Sequence, residues 1–238
     1  MDEADDDSLN GSSENLGFGI CVEREIVKQR PALDGGAVVS EHYYTSNPGS
    51  EHDRREWTAT LRGKTFQFVT DAGVFSRHGV DFGSALLIRH MEVAEDAAVL
   101  DVGCGYGPIG LTAAYLASRG HVTMLDVNER AVELARENAK RNGLANVTVL
   151  QSDRLAALSA EERFDCILTN PPIRAGKATV YAIFEESERH LKPGGSLWVV
   201  IQKKQGAPSA YAKLESLFGS VEEMAKDKGY RIFKAVKQ

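Results

Sequence analysis

Residues 98–110 read Ala98-Val99-Leu100-Asp101-Val102-Gly103-Cys104-Gly105-Tyr106-Gly107-Pro108-Ile109-Gly110. The run from Val99 to Val102 is short and apolar, which predicts a buried strand. Glycines at 103, 105 and 107 follow at alternate positions, where they let the backbone turn tightly and let a ligand approach without a Cβ in the way. Pro108 fits the first turn of a helix, since its missing N–H would be unpaired there anyway. Strand, glycine bend and helix start follow each other directly, as in the opening unit of a nucleotide-binding α/β sheet.

Working outward, the chain keeps that rhythm. A helix is predicted from Ile109 to Ser118 and a second strand from Val122 to Asp126. Asn128 caps a helix that runs to about Asn142, where Gly143 stops it. Val147–Leu150 and Phe164–Thr169 read as strands three and four, and Val180–Leu191 as a helix ended by Lys192-Pro193-Gly194-Gly195. Ser196–Gln202 is the fifth strand, Ser209–Phe218 a helix, and Tyr230–Val236 is strand-like. Alternating β and α with short turns implies a doubly wound, mainly parallel α/β sheet with helices on both faces. Upstream, Trp57–Thr70 alternates around Arg62-Gly63-Lys64 and reads as a β-hairpin, followed by a helix over Phe82–Glu92.

The 238 residues, 42% hydrophobic, suffice for one full core with a small appendage. Residues 1–38 carry nine acidic and three basic side chains and show no sustained period, so they read as a disordered acidic extension. Ordered sequence is expected from about Val39 to His42. The net charge of −6 hides a basic final third: from Asn170 onward twelve bases face seven acids. No run approaches the roughly 20 apolar residues of a membrane span. The acidic start does not resemble a secretory signal. Cys21, Cys104 and Cys166 form no CxxC pair, and His42, His52, His78, His90, His121 and His190 lack metal-ligand spacing. The expectation is a cytoplasmic protein with no structural metal.

In such sheets a ligand sits beyond the carboxyl ends of the strands, where strand order reverses. Three ends offer contacts there. The bend supplies Asp101, Gly103, Cys104, Gly105 and Gly107. Asp126 closes the second strand and can accept from both ribose hydroxyls of an adenosine. Gln151-Ser152-Asp153 follows the third, and a carboxylate there can accept from an adenine amine. Gly105-Tyr106-Gly107-Pro108-Ile109-Gly110 also matches GxGxxG, which raises a dinucleotide as the rival ligand. The tighter Asp-x-Gly-x-Gly-x-Gly spacing favours a ligand without a pyrophosphate.

The fourth strand runs into Asn170-Pro171-Pro172-Ile173. Two prolines rigidify this turn, so that the Asn170 side-chain carbonyl and the Pro171 backbone carbonyl can face one point. An amine on an aromatic ring is a poor nucleophile because its lone pair is delocalised. Two carbonyls accepting its hydrogens draw the nitrogen toward tetrahedral geometry and aim its lone pair. The bonds tighten as the N–H groups acidify, which favours the transition state.

With these segments in view, the chain resembles class I S-adenosylmethionine methyltransferases, and more narrowly the "methyltransferase small" group that includes bacterial 16S ribosomal RNA guanine-N2 methyltransferases. The resemblance covers roughly residues 40–238. It rests on Gly73-Val74-Phe75-Ser76, Asp81-Phe82-Gly83-Ser84 leading into Leu86-Leu87-Ile88, the Leu100–Gly107 loop, Asp126-Val127-Asn128, Asn170-Pro171-Pro172-Ile173 and Lys192-Pro193-Gly194-Gly195. It implies a methyltransferase domain over residues 39–238, with a Rossmann-like core over 97–238 and a seven-stranded sheet whose last strand is antiparallel. It implies S-adenosylmethionine as donor and ribosomal RNA or the small subunit as partner. It places Phe75, Ser76 and Asp81 at the methionine end of the donor, Val127 beside Asp126, and the target amine on Asn170 and Pro171. Two features depart from the pattern. Only the hairpin region stands where the longer ribosomal enzymes carry a degenerate second domain, and Ile173 stands where many relatives carry an aromatic. Arg174, Lys177, Lys203 and Lys204 are candidates for phosphate contact. The alternatives are methylation of a protein glutamine amide or of DNA adenine N6, and a non-catalytic RNA-binding module of the same fold.

Overall fold

The computed structural model describes residues 51–238. The extension read over residues 1–38 and the start of order near Val39 to His42 lie outside the described residues. In chain order the elements are β1 (Arg55–Leu61), β2 (Lys64–Thr70), α1 (Phe82–His90), β3 (Ala98–Val102), α2 (Pro108–Leu116), β4 (His121–Asp126), α3 (Glu129–Arg141), β5 (Val147–Gln151), β6 (Phe164–Thr169), α4 (Lys177–His190), β7 (Leu191–Gln202), α5 (Ala207–Phe218), β8 (Val221–Asp227) and β9 (Tyr230–Val236). Short 3₁₀ turns cover Ile173–Ala175 and Lys203–Gln205.

β3 to β9 form one seven-stranded sheet in the order β5-β4-β3-β6-β7-β9-β8. β3 lies inside it, parallel to β4 and to β6, and β5 and β7 continue in the same sense. β9 alone runs the other way, antiparallel to both β7 and β8. The order reverses between β4 and β6 around β3, so the carboxyl end of β3 opens a crevice. Side chains alternate across the strand. Val99 joins an apolar cluster with α1, α2, α3 and the hairpin, while Leu100 and Val102 join another with α4 and α5. Both sheet faces are thereby covered, as a parallel sheet requires.

The hairpin is fastened to that first layer by shape and by amides. Phe66 and Phe68 are fully buried, and Phe68 stands edge-on to Tyr106 with centroids 5.6 Å apart. On the open edge of β2, the Asn138 side chain accepts from the Val69 N–H at 2.7 Å and donates to the Val69 carbonyl at 3.0 Å. Asn142 does the same for Gln67. Two carboxamides, one on α3 and one at its C-cap, thus replace a neighbouring strand, satisfying backbone groups that would otherwise be orphaned. At the hairpin turn, Arg62 and Gly63 hold φ of 51° and 84°, the left-handed pair whose twist suits a two-residue loop. The Arg62 guanidinium donates to the carbonyls of Ile88, Arg89 and Met91, closing the end of α1.

Three readings shift. Lys192-Pro193-Gly194-Gly195, expected as a turn after the helix, lies within β7, where the pairing steps from Phe164–Leu191 to Cys166–Ser196. α4 starts at Lys177, earlier than the expected Val180, because Gly176 turns the chain at φ 98°. β8 carried no strand signal. Four of its seven residues, Glu222, Glu223, Lys226 and Asp227, are charged and the strand is half exposed, as an edge strand allows.

Candidate active site

The glycine bend is shaped by its hydrogen bonds. The N–H groups of Gly103 and Cys104 both donate to the Leu125 carbonyl, at 2.8 and 2.9 Å, which ties the end of β3 to the end of β4. Gly103, Gly105 and Gly107 hold φ of 76°, 57° and 104°. A Cβ on Gly103 or Gly105 would meet nothing within 4 Å. Backbone conformation therefore demands glycine there, and the space above stays open.

Asp126 lies beside that space. Its Oδ2 accepts from the Gly105 N–H at 2.7 Å and its Oδ1 from the Asn128 N–H at 2.9 Å. Burial raises its pKa, opposed by the N–H groups of Asn128, Gly105 and Val127. Asp101 lies beneath the bend. Its Oδ2 accepts from the Gly110 N–H at 2.8 Å, while Oδ1 is buried with no hydrogen-bond partner among the described residues. Burial pushes its pKa up to about 7. The Cys104 thiol is raised well above its ordinary range by burial and by Asp126 and Asp101, so it stays protonated and unreactive.

Across the crevice, the segment before α1 closes the wall. Asp81 caps α1, its Oδ1 accepting from the Ser84 N–H at 3.1 Å. The same oxygen accepts from Asn170 Nδ2 at 3.3 Å, and Ser84 Oγ takes the other contact from that nitrogen at 3.1 Å. Both amide hydrogens of Asn170 are committed to α1, which fixes which way its carboxamide faces. Ser76 holds φ 57° and donates its hydroxyl to the Gly79 carbonyl at 2.6 Å. The Tyr106 hydroxyl reaches the same carbonyl at 3.1 Å, and Asn128 Nδ2 donates to the Gly73 carbonyl at 2.9 Å. The bend and the Gly73–Asp81 segment are thereby one unit.

These walls enclose a cavity of about 650 Å³, within the usual range for small-molecule sites. Of the residues singled out in the sequence, Phe75, Ser76, Asp81, Gly103, Cys104, Gly105, Asp126, Val127, Ser152, Asp153, Asn170, Pro171, Pro172, Ile173 and Arg174 line it. Asp101 and Gly107 do not. The first supports the bend from below, and the second starts α2, packed against Leu111 and Met124. Lys177, Lys203 and Lys204 also lie off the wall. Lys177 stands over the Tyr181 ring, and the Lys203 N–H is tied to the Gly229 carbonyl at 2.7 Å. Ser84, Tyr106, Arg154, Gln205 and Tyr230 line the cavity without having been singled out. Only Ser84 and Tyr106 carried a signal, as members of segments already read for other residues. Among the described residues no group of His, Cys, Asp or Glu is placed to hold a metal, and no helix is long and apolar enough to cross a membrane.

The family profile of the methyltransferase small domain matches residues 65–234. The chain belongs to the methyltransferase small family. Members of this family use S-adenosylmethionine, and the sheet order described above is the class I methyltransferase arrangement, with its antiparallel β9. The chain is 54% identical over 200 residues to uncharacterized protein YbxB of Bacillus subtilis (strain 168), covering 84% of this chain and all of that one. It is 31% identical over 187 residues to ribosomal RNA small subunit methyltransferase C of Stutzerimonas stutzeri, covering 77% of this chain and 54% of that one. Among solved structures it resembles the T. Thermophilus 16S rRNA N2 G1207 methyltransferase in complex with AdoMet and guanosine. The TM-score is 0.70 at 29% identity, over 80% of this chain and 52% of that one. The chain spans about half the length of the ribosomal RNA methyltransferases it matches.

The walls fit such a donor. Open space lies over two glycines, the Asp126 carboxylate, whose oxygens keep lone pairs for ribose hydroxyls, belongs to the wall, and Ser152 and Asp153 stand at the next strand end.

Proposed function

We propose that this methyltransferase acts on the exocyclic amine of an aromatic base, guanine N2 of ribosomal RNA. The observation that carries the reading is the commitment of both Asn170 amide hydrogens to Asp81 and Ser84. The group left for an incoming molecule is the carbonyl oxygen, an acceptor, so its partner is an N–H donor such as an amine.

In this reading Gly103, Cys104, Gly105, Asp126, Val127, Ser152 and Asp153 hold S-adenosylmethionine, with Phe75, Ser76 and Asp81 at its methionine end. The donor, when bound, supplies an electrophilic methyl group on a sulfonium. Asn170 Oδ1 and the Pro171 carbonyl accept the two hydrogens of the target amine. They align its lone pair and stabilise the positive charge that grows on nitrogen as the bond forms. One proton then leaves the nitrogen for water, so no strong base is required. Arg174, Lys177, Lys203 and Lys204 contact the phosphates around the target nucleotide. Ribosomal RNA as substrate implies a cytoplasmic site of action.

The test is transfer of labelled methyl to ribosomal subunits, free ribosomal RNA and DNA from cells lacking the protein, followed by digestion of the nucleic acids to nucleosides. The reading expects label in N2-methylguanosine. Label found only in protein, or in DNA adenine, overturns it in favour of those acceptors. No transfer to any of the three favours a binding module.

A further inference from the structure

We propose that Tyr230 is the aromatic platform on which the acceptor ring stacks, at the position Ile173 leaves aliphatic. The inference rests on the reading above that the acceptor amine belongs to an aromatic base. Tyr230 opens β9 and lines the cavity, far in sequence from every segment that builds the donor side.

Its location follows from Gly83. A Cβ there would stand 2.9 Å from Cε1 and 3.1 Å from Cδ1 of the Tyr230 ring, and 3.1 Å from Asp81 Oδ1. Ring and carboxylate crowd one point, and that carboxylate oxygen holds the Asn170 amide. Tyr230 therefore sits at the Asn170 corner of the cavity. α1 carries a glycine in its first turn where the ring passes, although glycine weakens a helix.

The ring is also rigidly backed. Phe82 packs on it with centroids 5.6 Å apart. Tyr230 pairs with Gln202 of β7 and Asp227 of β8, and the neighbouring Gly229 carbonyl accepts from Lys203. A preformed aromatic face gains contact without losing much rotamer freedom on binding. The cavity's other aromatic rings are Tyr106 and Phe75. Tyr106 is 2% exposed with its hydroxyl on Gly79. Phe75 is 40% exposed on the cavity wall and, in the reading above, stands at the methionine end of the donor.

The surroundings fit a base attached to phosphates. Lys228, in the β8–β9 turn beside Tyr230, lies 4.8 Å from the Phe82 ring centroid, and the Lys203–Lys204 turn is bonded to the same hairpin. None of these three lysines is in an ion pair among the described residues, although Asp227 is close in the turn. The aromatic face and the positive charge come from one corner of the sheet. A neutral heterocycle would use only the first.

The experiment compares methyl transfer to ribosomal RNA from cells lacking the protein with S-adenosylmethionine binding by calorimetry, across variants. Tyr230→Leu, which keeps apolar bulk, is expected to lower kcat/KM for RNA by about tenfold or more, mainly through KM. Its donor affinity is expected to be unchanged. Tyr230→Phe should stay within about twofold, keeping the π face. Adding Ile173→Tyr to Tyr230→Leu should recover part of the loss, which a structural role for Tyr230 would not allow. Unchanged kcat/KM in Tyr230→Leu overturns the inference. So does a loss that follows donor affinity and that Ile173→Tyr leaves unrescued. If the unsubstituted protein methylates no RNA, the RNA reading itself fails first.

Discussion

The two sides of the cavity are built by different means. On the donor side, Gly103, Gly105 and Asp126 belong to adjacent strand ends, fixed by backbone N–H groups that donate to the Leu125 carbonyl and to the Asp126 carboxylate. On the acceptor side, Ser84, Asn170 and Tyr230 come from α1, the end of β6 and the start of β9, and side chains hold them together, with Asp81 reaching Asn170 from the proposed methionine end of the donor. Backbone geometry tolerates little change but depends on local sequence. A side-chain relay can be retuned one residue at a time, so the acceptor side is where specificity can vary while the donor stays the same.

Substitutions should separate the two sides. The largest effect is expected for Asn170→Ala, which removes an acceptor facing the reacting amine. Turnover should fall by about 100-fold or more, with donor affinity unchanged by calorimetry. Asp126→Ala should do the reverse, weakening donor binding by roughly 10- to 100-fold through loss of charge-assisted bonds. The N–H groups of Gly105 and Asn128 would also lose their partner. At saturating donor much of its turnover should return.

Ser84→Ala is a gentler change. It leaves Asn170 Nδ2 on Asp81 alone and frees the carboxamide to turn, so kcat should drop roughly two- to tenfold with donor affinity intact. Equal losses in kcat and donor affinity would merge the two sides. An effect of another kind, on stability and not on turnover, concerns Asp101. Burial raises its folded pKa to about 7 from 3.8. Between those values the unfolded chain releases a proton that the folded chain keeps, so this group lowers stability as pH rises through that window and adds no further change above it. Urea midpoints of the protein and of Asp101→Asn should therefore diverge, in favour of the asparagine, from pH about 4 to about 7. A constant gap would show that Asp101 ionises normally.

The same contrast explains what the sequence could reveal. The glycine bend, the Asp126 strand end and Asn170-Pro171-Pro172-Ile173 are legible because each role lies within a few consecutive residues. The alternating strands and the Asn128 cap are legible for the same reason. β8 was invisible because an edge strand needs no apolar face, and Lys192–Gly195 read as a turn because proline and glycine usually make one. The lining by Ser84, Gln205 and Tyr230 depends on which loops the sheet order brings together. Nothing in Gly83 alone announces that a tyrosine ring from β9 passes over it. Asp101 shows the opposite limit. It belongs to the motif, yet it faces Gly110 beneath the bend and not the cavity.

The central claim is that Asn170, at the strand end beside the glycine bend, presents an acceptor to the target amine. A crystal structure with S-adenosylhomocysteine and guanosine tests it most directly. The account predicts the guanine amine within hydrogen-bond distance of Asn170 Oδ1 and the Pro171 carbonyl, with the ring lying along Tyr230. A base bound elsewhere, or an Asn170 carboxamide turned to donate to it, would contradict the account.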